Sequence, residues 1–265
     1  MFSIDTYQGG VVLIALVVAI AVGGLFLARK AFDLEHLKET HEVGGVLFSA
    51  IGTLYAVLLG LIVVDAMSKF TVTRDIVQNE ANNVANVYIL SDCLTEDKKI
   101  PMRALCVDYC KEVINHEWAA MDDAKFSPVA RKLAVKILED ATNFEPKSQN
   151  QQSLYPILVQ SALNIWDFRC DRINIARAGI PVIEWATLIA GGFITVFFTY
   201  FFGLDRIKIQ IAMVSMVTVL ISLNLYLFML FGYPFSGDVS ISPEAFQVDL
   251  DIFEKKIQSS EEKWN

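Results

Sequence analysis

Four long apolar runs, at residues 11–28, 44–64, 180–202 and 209–231, constrain this chain more than any other feature. A helix rises 1.5 Å per residue, so each run can cross a hydrocarbon layer about 30 Å thick. Lipid offers no water to backbone N–H and C=O groups, and a helix satisfies them within one segment. Two runs precede a long polar stretch and two follow it. The expected fold is an all-α integral membrane protein: four transmembrane helices in two pairs, with a helical extramembrane domain between them. The expected divisions are 1–65, the first pair; 66–178, the helical domain; 179–232, the second pair; and 233–265, a tail with an amphipathic helix.

Charge placement agrees with that division. The chain is 54% hydrophobic yet 20% charged, and nearly all the charges lie outside the four runs, with Glu184 and Asp65 the main exceptions. The net charge of -8 is not spread evenly: the central stretch is close to neutral, while the tail after Gly232 is acidic. No basic stripe exists to meet phosphate, so nucleic acid is not an expected partner.

The first ten residues contain no Lys or Arg, so the first run lacks the positive region of a cleavable signal and reads as a retained span. Arg29, Lys30 and Lys38 fall between the first two spans, and Arg206 and Lys208 between the last two. The positive-inside rule puts both loops in the cytoplasm, and the central domain and both termini outside. Lys69, Arg74, Arg169, Arg172 and Arg177 oppose that orientation but belong to a long domain, which weighs less in the rule.

All four cysteines, Cys93, Cys106, Cys110 and Cys170, lie in the central domain. Two readings stand. An even number in one polar module suits disulfides in an oxidising compartment, with Cys106 and Cys110 each able to reach Cys93 or Cys170 from one helix face. The other reading is buried reduced thiols acting as small hydrophobes. No paired short-spacing ligand motif accompanies His116, so no metal is expected.

The central domain reads as helical. No Pro or Gly separates the second span from residues 65–94, so that helix should run straight out of the membrane. Further helices are expected from Pro101, from Pro128 with Ser127 as its cap, and from near Ser153, after a loop at residues 144–152.

Within the second span Gly45, Ser49, Gly52, Ala56 and Gly60 recur at spacings of three or four. Such a stripe lets another backbone approach closely, or leaves room for a pore. Asn79, Asn82, Asn83 and Asn86 form a second row farther along the same helix; lumen-facing amides could replace an ion's hydration, and a solvated helix face is the alternative reading. Glu184 is an intramembrane carboxylate, a functional candidate by type. It also lies near a helix N-terminus, with Arg177 close enough in sequence to pair with it, as an interfacial structural residue would. Ser222 and Asn224 read as interhelical hydrogen-bonders.

Catalytic patterns are absent. His41 and Glu42 begin a zinc-protease motif, but its second histidine position is Gly45. Neither phosphate-loop nor dinucleotide glycine patterns occur, so neither enzyme activity nor a cofactor is expected.

Four segments carry a family resemblance: THEVGGVLFSAIGTLYAVLLG at 40–60, NEANNVANVY at 79–88, RCDRINIARAGIP at 169–181 and YPFSGDVSISPEAF at 233–246. They resemble the bacterial bestrophin-like family, itself remotely similar to bestrophin anion channels. The last segment is the most specific; its Pro234, Phe235, Gly237 and Pro243 read as a structural clamp that stops one helix and starts another. The resemblance implies a four-span subunit of the bacterial inner membrane. By likeness to bestrophins it also implies a pentameric homo-oligomer that passes small ions through a pore lined by the second span. Bestrophins carry their helical domain in the cytosol, opposite to the orientation given by the short loops. Their acidic calcium clasp and phenylalanine-rich neck have no counterpart here, since the second span offers only Phe48 and Tyr55. A non-conducting scaffold or envelope sensor, binding a partner through the helical domain, is the competing function.

Overall fold

The structure, a computed structural model, describes residues 6–31, 41–202 and 206–262, and for 41–43 and 257–262 the backbone alone. Among the described residues every regular element is helical, and four helices are long and apolar enough to cross a membrane. These are α1 (Tyr7–Ala31), α2 (His41–Leu90), α7 (Val182–Thr199) and α8 (Ile207–Gly232). Between α2 and α7 come α3 (Glu96–Glu112), a π turn (Val113–Glu117), α4 (Trp118–Asp122), α5 (Pro128–Thr142) and α6 (Gln149–Ala178). After α8 comes α9 (Glu244–Glu262).

The uninterrupted second helix is α2, whose 50 residues make it about 75 Å long, more than twice the thickness of a hydrocarbon layer. Two starts differ from expectation. Helix α3 begins at Glu96, so Pro101 falls in its second turn, where it leaves one carbonyl of the first turn without a helical donor. Helix α6 begins at Gln149 rather than near Ser153, because Ser148 and Gln151 form a reciprocal capping box inside the segment that composition marks as loop. Ser127 caps α5 as expected, its hydroxyl accepting the Val129 and Ala130 N–H groups at 3.1 and 3.2 Å.

The chain forms two compact units, one from the described residues of Met1–Phe70 with Ile180–Ser240, the other from those of Thr71–Gly179 with Ile241–Asn265. In the first, α1 lies along α8, with Ala21, Leu25 and Val214 at the contact. Tyr226 fills the space over Gly10, and Tyr200 that over Gly24. Each phenol finds a carbonyl: Tyr226 donates to Thr6 at 3.0 Å and Tyr200 to Ala21 at 2.7 Å. A polar tip inside an apolar bundle is thereby satisfied. The buried hydroxyls of Thr195 and Thr218 return to their own helices, donating to Gly191 and Val214, both at 2.8 Å. Asn224 does the same, giving its amide to Leu220 at 2.9 Å instead of to another helix.

The second unit is built around a buried ion cluster. Arg172, fully buried, donates through Nε to Glu80 Oε2 at 2.7 Å and through Nη2 to Glu80 Oε1 at 2.8 Å and Glu117 Oε1 at 2.9 Å. Arg169 donates to Glu117 Oε2 at 2.6 Å, and Tyr109 gives its hydroxyl to Glu80 Oε1 at 2.6 Å. Two carboxylates thus face two guanidiniums, and their lone pairs are taken up by fork geometry. Burial alone pulls the Arg172 guanidinium down, but Glu80, with Tyr109 and Glu117 behind it, raises it above its ordinary value. The π turn supplies Glu117: the widened turn lies between α3 and α4 and carries this fully buried carboxylate to both arginines.

Breaking a buried pair strands a charge, at a cost of about 3–5 kcal/mol, whereas a surface change usually stays within about 0.5 kcal/mol. Arg172→Ala is expected to destabilise the extramembrane unit by the larger amount, and Lys132→Ala by the smaller. Urea-dependent hydrogen exchange of α6 amides in detergent-solubilised protein measures both.

Candidate functional site

The membrane part of α2 has three faces. Its packing face is Tyr55, Leu59, Val63 and Ala66, set against Leu188, Ile221 and Phe228. Tyr55 lies in a notch made by Gly191 and Gly192 of α7 and donates its hydroxyl to the Leu188 carbonyl at 2.9 Å. The glycines that permit close approach are therefore those of α7, and α2 contributes the ring that fills them. A second face is bulky and exposed, with Val46, Leu54, Val57, Leu61 and Val64.

Between these two faces runs the small stripe. At 100° per residue, Gly45, Ser49, Gly52, Ala56 and Gly60 lie within about 80° of arc. A Cβ added at Gly45, Gly52 or Gly60 would meet nothing within 4 Å, and Ser49, Ala56 and Gly60 are exposed. Among the described residues nothing covers the three glycines of this stripe. The contrast with Gly10, Gly24, Gly191, Gly192 and Gly232 is sharp, since each of those is covered by a side chain from another segment.

The asparagine row is not on the same face. Its mean direction is rotated about 130° from that of the stripe on a 3.6-residue helix, and winding at 3.5 residues per turn keeps it on the far side. Asn83 is buried: it donates to the Asn79 carbonyl at 2.7 Å and accepts from Asn164 of α6 at 3.2 Å. Asn79, Asn82 and Asn86 are exposed, with Asn82 accepting from Gln78 at 3.1 Å.

Glu184 opens the first turn of α7, where the helix dipole favours an anion. Its cation is Lys69, at 3.9 Å, which also pairs with Asp65 at 2.6 Å. The partner expected from sequence proximity, Arg177, lies instead over the Phe126 ring at 4.7 Å and donates to the Ala124 carbonyl at 3.4 Å. Cation–π stacking and a carbonyl acceptor take the place of the ion pair.

All four cysteines are free, so none of the expected pairings is formed. Cys106 and Cys110 are buried on α3 towards Asp249 of α9, while Cys170 sits near Arg131 of α5. Burial pushes the thiols of Cys106 and Cys110 far up, which keeps them neutral and unreactive. Among the described residues no group of three or more His, Cys, Asp or Glu is placed to hold a metal ion.

In the segment after α8, Pro234 and Phe235 are buried and Gly237 takes φ 75°, a left-handed turn that favours glycine. The next residue, Asp238, accepts the Tyr7 N–H at 2.7 Å, tying this turn to the start of α1. Pro243 then starts α9, its carbonyl taking the Phe246 and Gln247 N–H groups at 3.0 and 3.2 Å.

Two features are absent from the expectations drawn from sequence. Glu80 stands inside the asparagine row and Arg172 among flanking charges, with only the three-residue spacing of Arg169 and Arg172 on α6 hinting at a shared inward face. Asp249 lies on the apolar face of α9, three residues after Phe246 and four before Phe253, and that misplacement was legible.

Residues 15–246 match the Bestrophin-like domain family. No curated protein sequence matches the chain. Its fold is similar to that of a bacterial bestrophin homologue from Klebsiella pneumoniae. A single-site variant of that protein gives a TM-score of 0.67 at 11% identity, covering 91% of this chain and 98% of that one. A second crystal structure of the homologue gives 0.65 at 12% identity, covering 91% and 96%. A variant described as a membrane protein gives 0.68 at 12% identity, again covering 91% and 96%. With residues 15–246 matched, the greater part of 265 residues, the chain belongs to the bestrophin-like family.

Proposed function

We propose that this chain is one subunit of a homo-oligomeric anion channel, a pentamer as bestrophins are, with α2 lining the pore. The observation that carries this reading is the bare stripe of α2, at which a Cβ on Gly45, Gly52 or Gly60 has no neighbour within 4 Å. Gly10, Gly24, Gly191, Gly192 and Gly232 serve packing inside the subunit, whereas the stripe glycines, like Gly23 and Gly44, are uncovered and free to set the radius of a lumen. A ring of small side chains leaves room for a hydrated ion, and conduction depends on that radius and on polar groups such as Ser49. The asparagines, turned to another face, are left out of the membrane constriction.

We also place the helical unit in the cytoplasm of a bacterial cell, reversing the orientation read from the short basic loops. Four free thiols fit a reducing compartment, and bestrophins carry their helical domain on that side. Cys93 and Cys170 are partly exposed and serve as handles. A membrane-impermeant thiol reagent is expected to label them only after the inner membrane is permeabilised; labelling in cells with an intact inner membrane would restore the opposite orientation.

The channel reading is tested by chloride flux into liposomes containing the purified protein. Gly52→Leu and Ala56→Phe are expected to cut flux at least tenfold with oligomer elution unchanged, because both positions are open within the subunit. Gly191→Leu, which drives a side chain into the Tyr55 ring, is expected to lower stability by about 1–3 kcal/mol instead. Asn86→Asp is expected to leave selectivity nearly unchanged. Well-assembled wild-type protein that passes no anion would overturn the proposal and favour a non-conducting scaffold.

A further inference from the structure

We propose that Asp249 is a proton-operated release for the C-terminal helix: with its carboxyl protonated α9 stays docked, and loss of the proton loosens it. The docking geometry is set by two aromatic anchors. Phe246, fully buried, meets the Tyr109 ring at 6.4 Å and the Trp118 ring at 6.1 Å. Phe253, also fully buried, stacks on Tyr88 with ring centroids 4.0 Å apart. Trp118 Nε1 donates to the Ile241 carbonyl at 3.0 Å just before the helix, and Lys256 reaches Asp92 at 3.0 Å near its far end.

Asp249 lies between the two anchors and is 7% exposed, while Val248 and Ile252 on the same helix are each 50% exposed. The helix thus turns two aliphatic side chains outward and one carboxyl inward. Its Oδ2 is buried and meets no hydrogen-bond donor among the described residues, so an ionised carboxylate there has lost water and gained nothing for that oxygen. A protonated carboxyl is the form this site tolerates.

Among the described residues the surroundings supply no compensating cation. From α3 the nearby groups are Cys106 and Cys110, both kept neutral by burial, and Tyr109, whose hydroxyl is given to Glu80. From α2 come Tyr88 and Glu80, the latter already paired with Arg172. In the π turn Glu117 is held by Arg169 and Arg172, and exposed His116 pairs with Glu112. Farther along, Arg103 and Lys99 turn to Asp92 with Lys256. Although burial pulls the Asp92 carboxyl up, Lys256, Lys99 and Arg103 hold it below its ordinary range, so that contact persists at neutral pH. On α9 itself Glu244, Asp251, Glu254 and Lys255 are exposed.

Undocked, Asp249 ionises near 3.8; docked, burial pushes it up to about 7. The docked state therefore binds more protons between those two values. Docking is full below the lower value, weakens as pH rises through the window, and levels off above the upper one.

The test uses the full chain in lipid nanodiscs and reads amide protection factors for residues 244–256, which divide out the intrinsic pH dependence of exchange. Protection in the wild-type protein is expected to fall roughly 100-fold from pH 5 to pH 8. In Asp249→Asn it is expected to be the same at both. If Asn is not accommodated, Asp249→Ala carries the same expectation. A flat wild-type profile, or a fall that persists in the folded variant, overturns the proposal.

Discussion

The rest of this structure depends on one helix that never breaks. Lipid forbids unpaired backbone groups, so the chain must be helical while it crosses, but nothing obliges the same helix to continue once it leaves. Here α2 does continue, 50 residues in all, because no Gly or Pro interrupts residues 61–90. Its first part gives Tyr55, Leu59, Val63 and Ala66 to the membrane core. Its later part gives Glu80, Val84, Val87 and Tyr88 to the extramembrane core, all essentially without solvent exposure. Each unit has its own packing logic, and one continuous element belongs to both.

In the extramembrane unit the demanding element is charge rather than volume. Two arginines and two glutamates are removed from water, at a desolvation penalty of several kcal/mol per ion before pairing. The penalty is offset only because both forks are engaged and Tyr109 and Ser127 take the remaining carboxylate positions. Apolar replacements of similar volume are often no less stable in such sites, so the cluster is better understood as fixing which helices meet. Glu80 of α2, Glu117 of the π turn and two residues of α6 satisfy one another only in this arrangement. Asp249 is the exception within the same unit, a buried carboxyl without that support.

Sequence made the spans legible, because length and hydropathy are local properties and the bilayer imposes them directly. It made most of the helical domain legible as well, through caps such as Ser127 and breakers such as Pro128. It failed at Ser148, where the FEPKSQNQQ composition looks like loop but a capping box starts a helix inside it. The glycines show a deeper limit. Gly52 and Gly191 look alike in sequence, yet Gly191 receives the Tyr55 ring and Gly52 faces open space, and only the packed structure distinguishes them. The ion cluster was hidden for a related reason: its hydrogen-bonded partners are 29 to 92 residues apart, and no local pattern links residues so distant. Lys69 rather than Arg177 beside Glu184 is another case, since nearness along the chain said nothing about which face each side chain occupied.

In the proposed channel the bare stripe of α2 is the surface that the assembled protein presents to a passing ion. Determining the structure of the assembled protein in lipid by electron cryomicroscopy tests this most directly, by showing which face of α2 borders the lumen. The expected result is a continuous lumen bordered by Gly45, Ser49, Gly52, Ala56 and Gly60, with Leu54 and Leu61 turned away from it. A lumen bordered by another helix, or a stripe buried against a neighbouring subunit with no lumen beside it, would rule out α2 as the pore-lining helix.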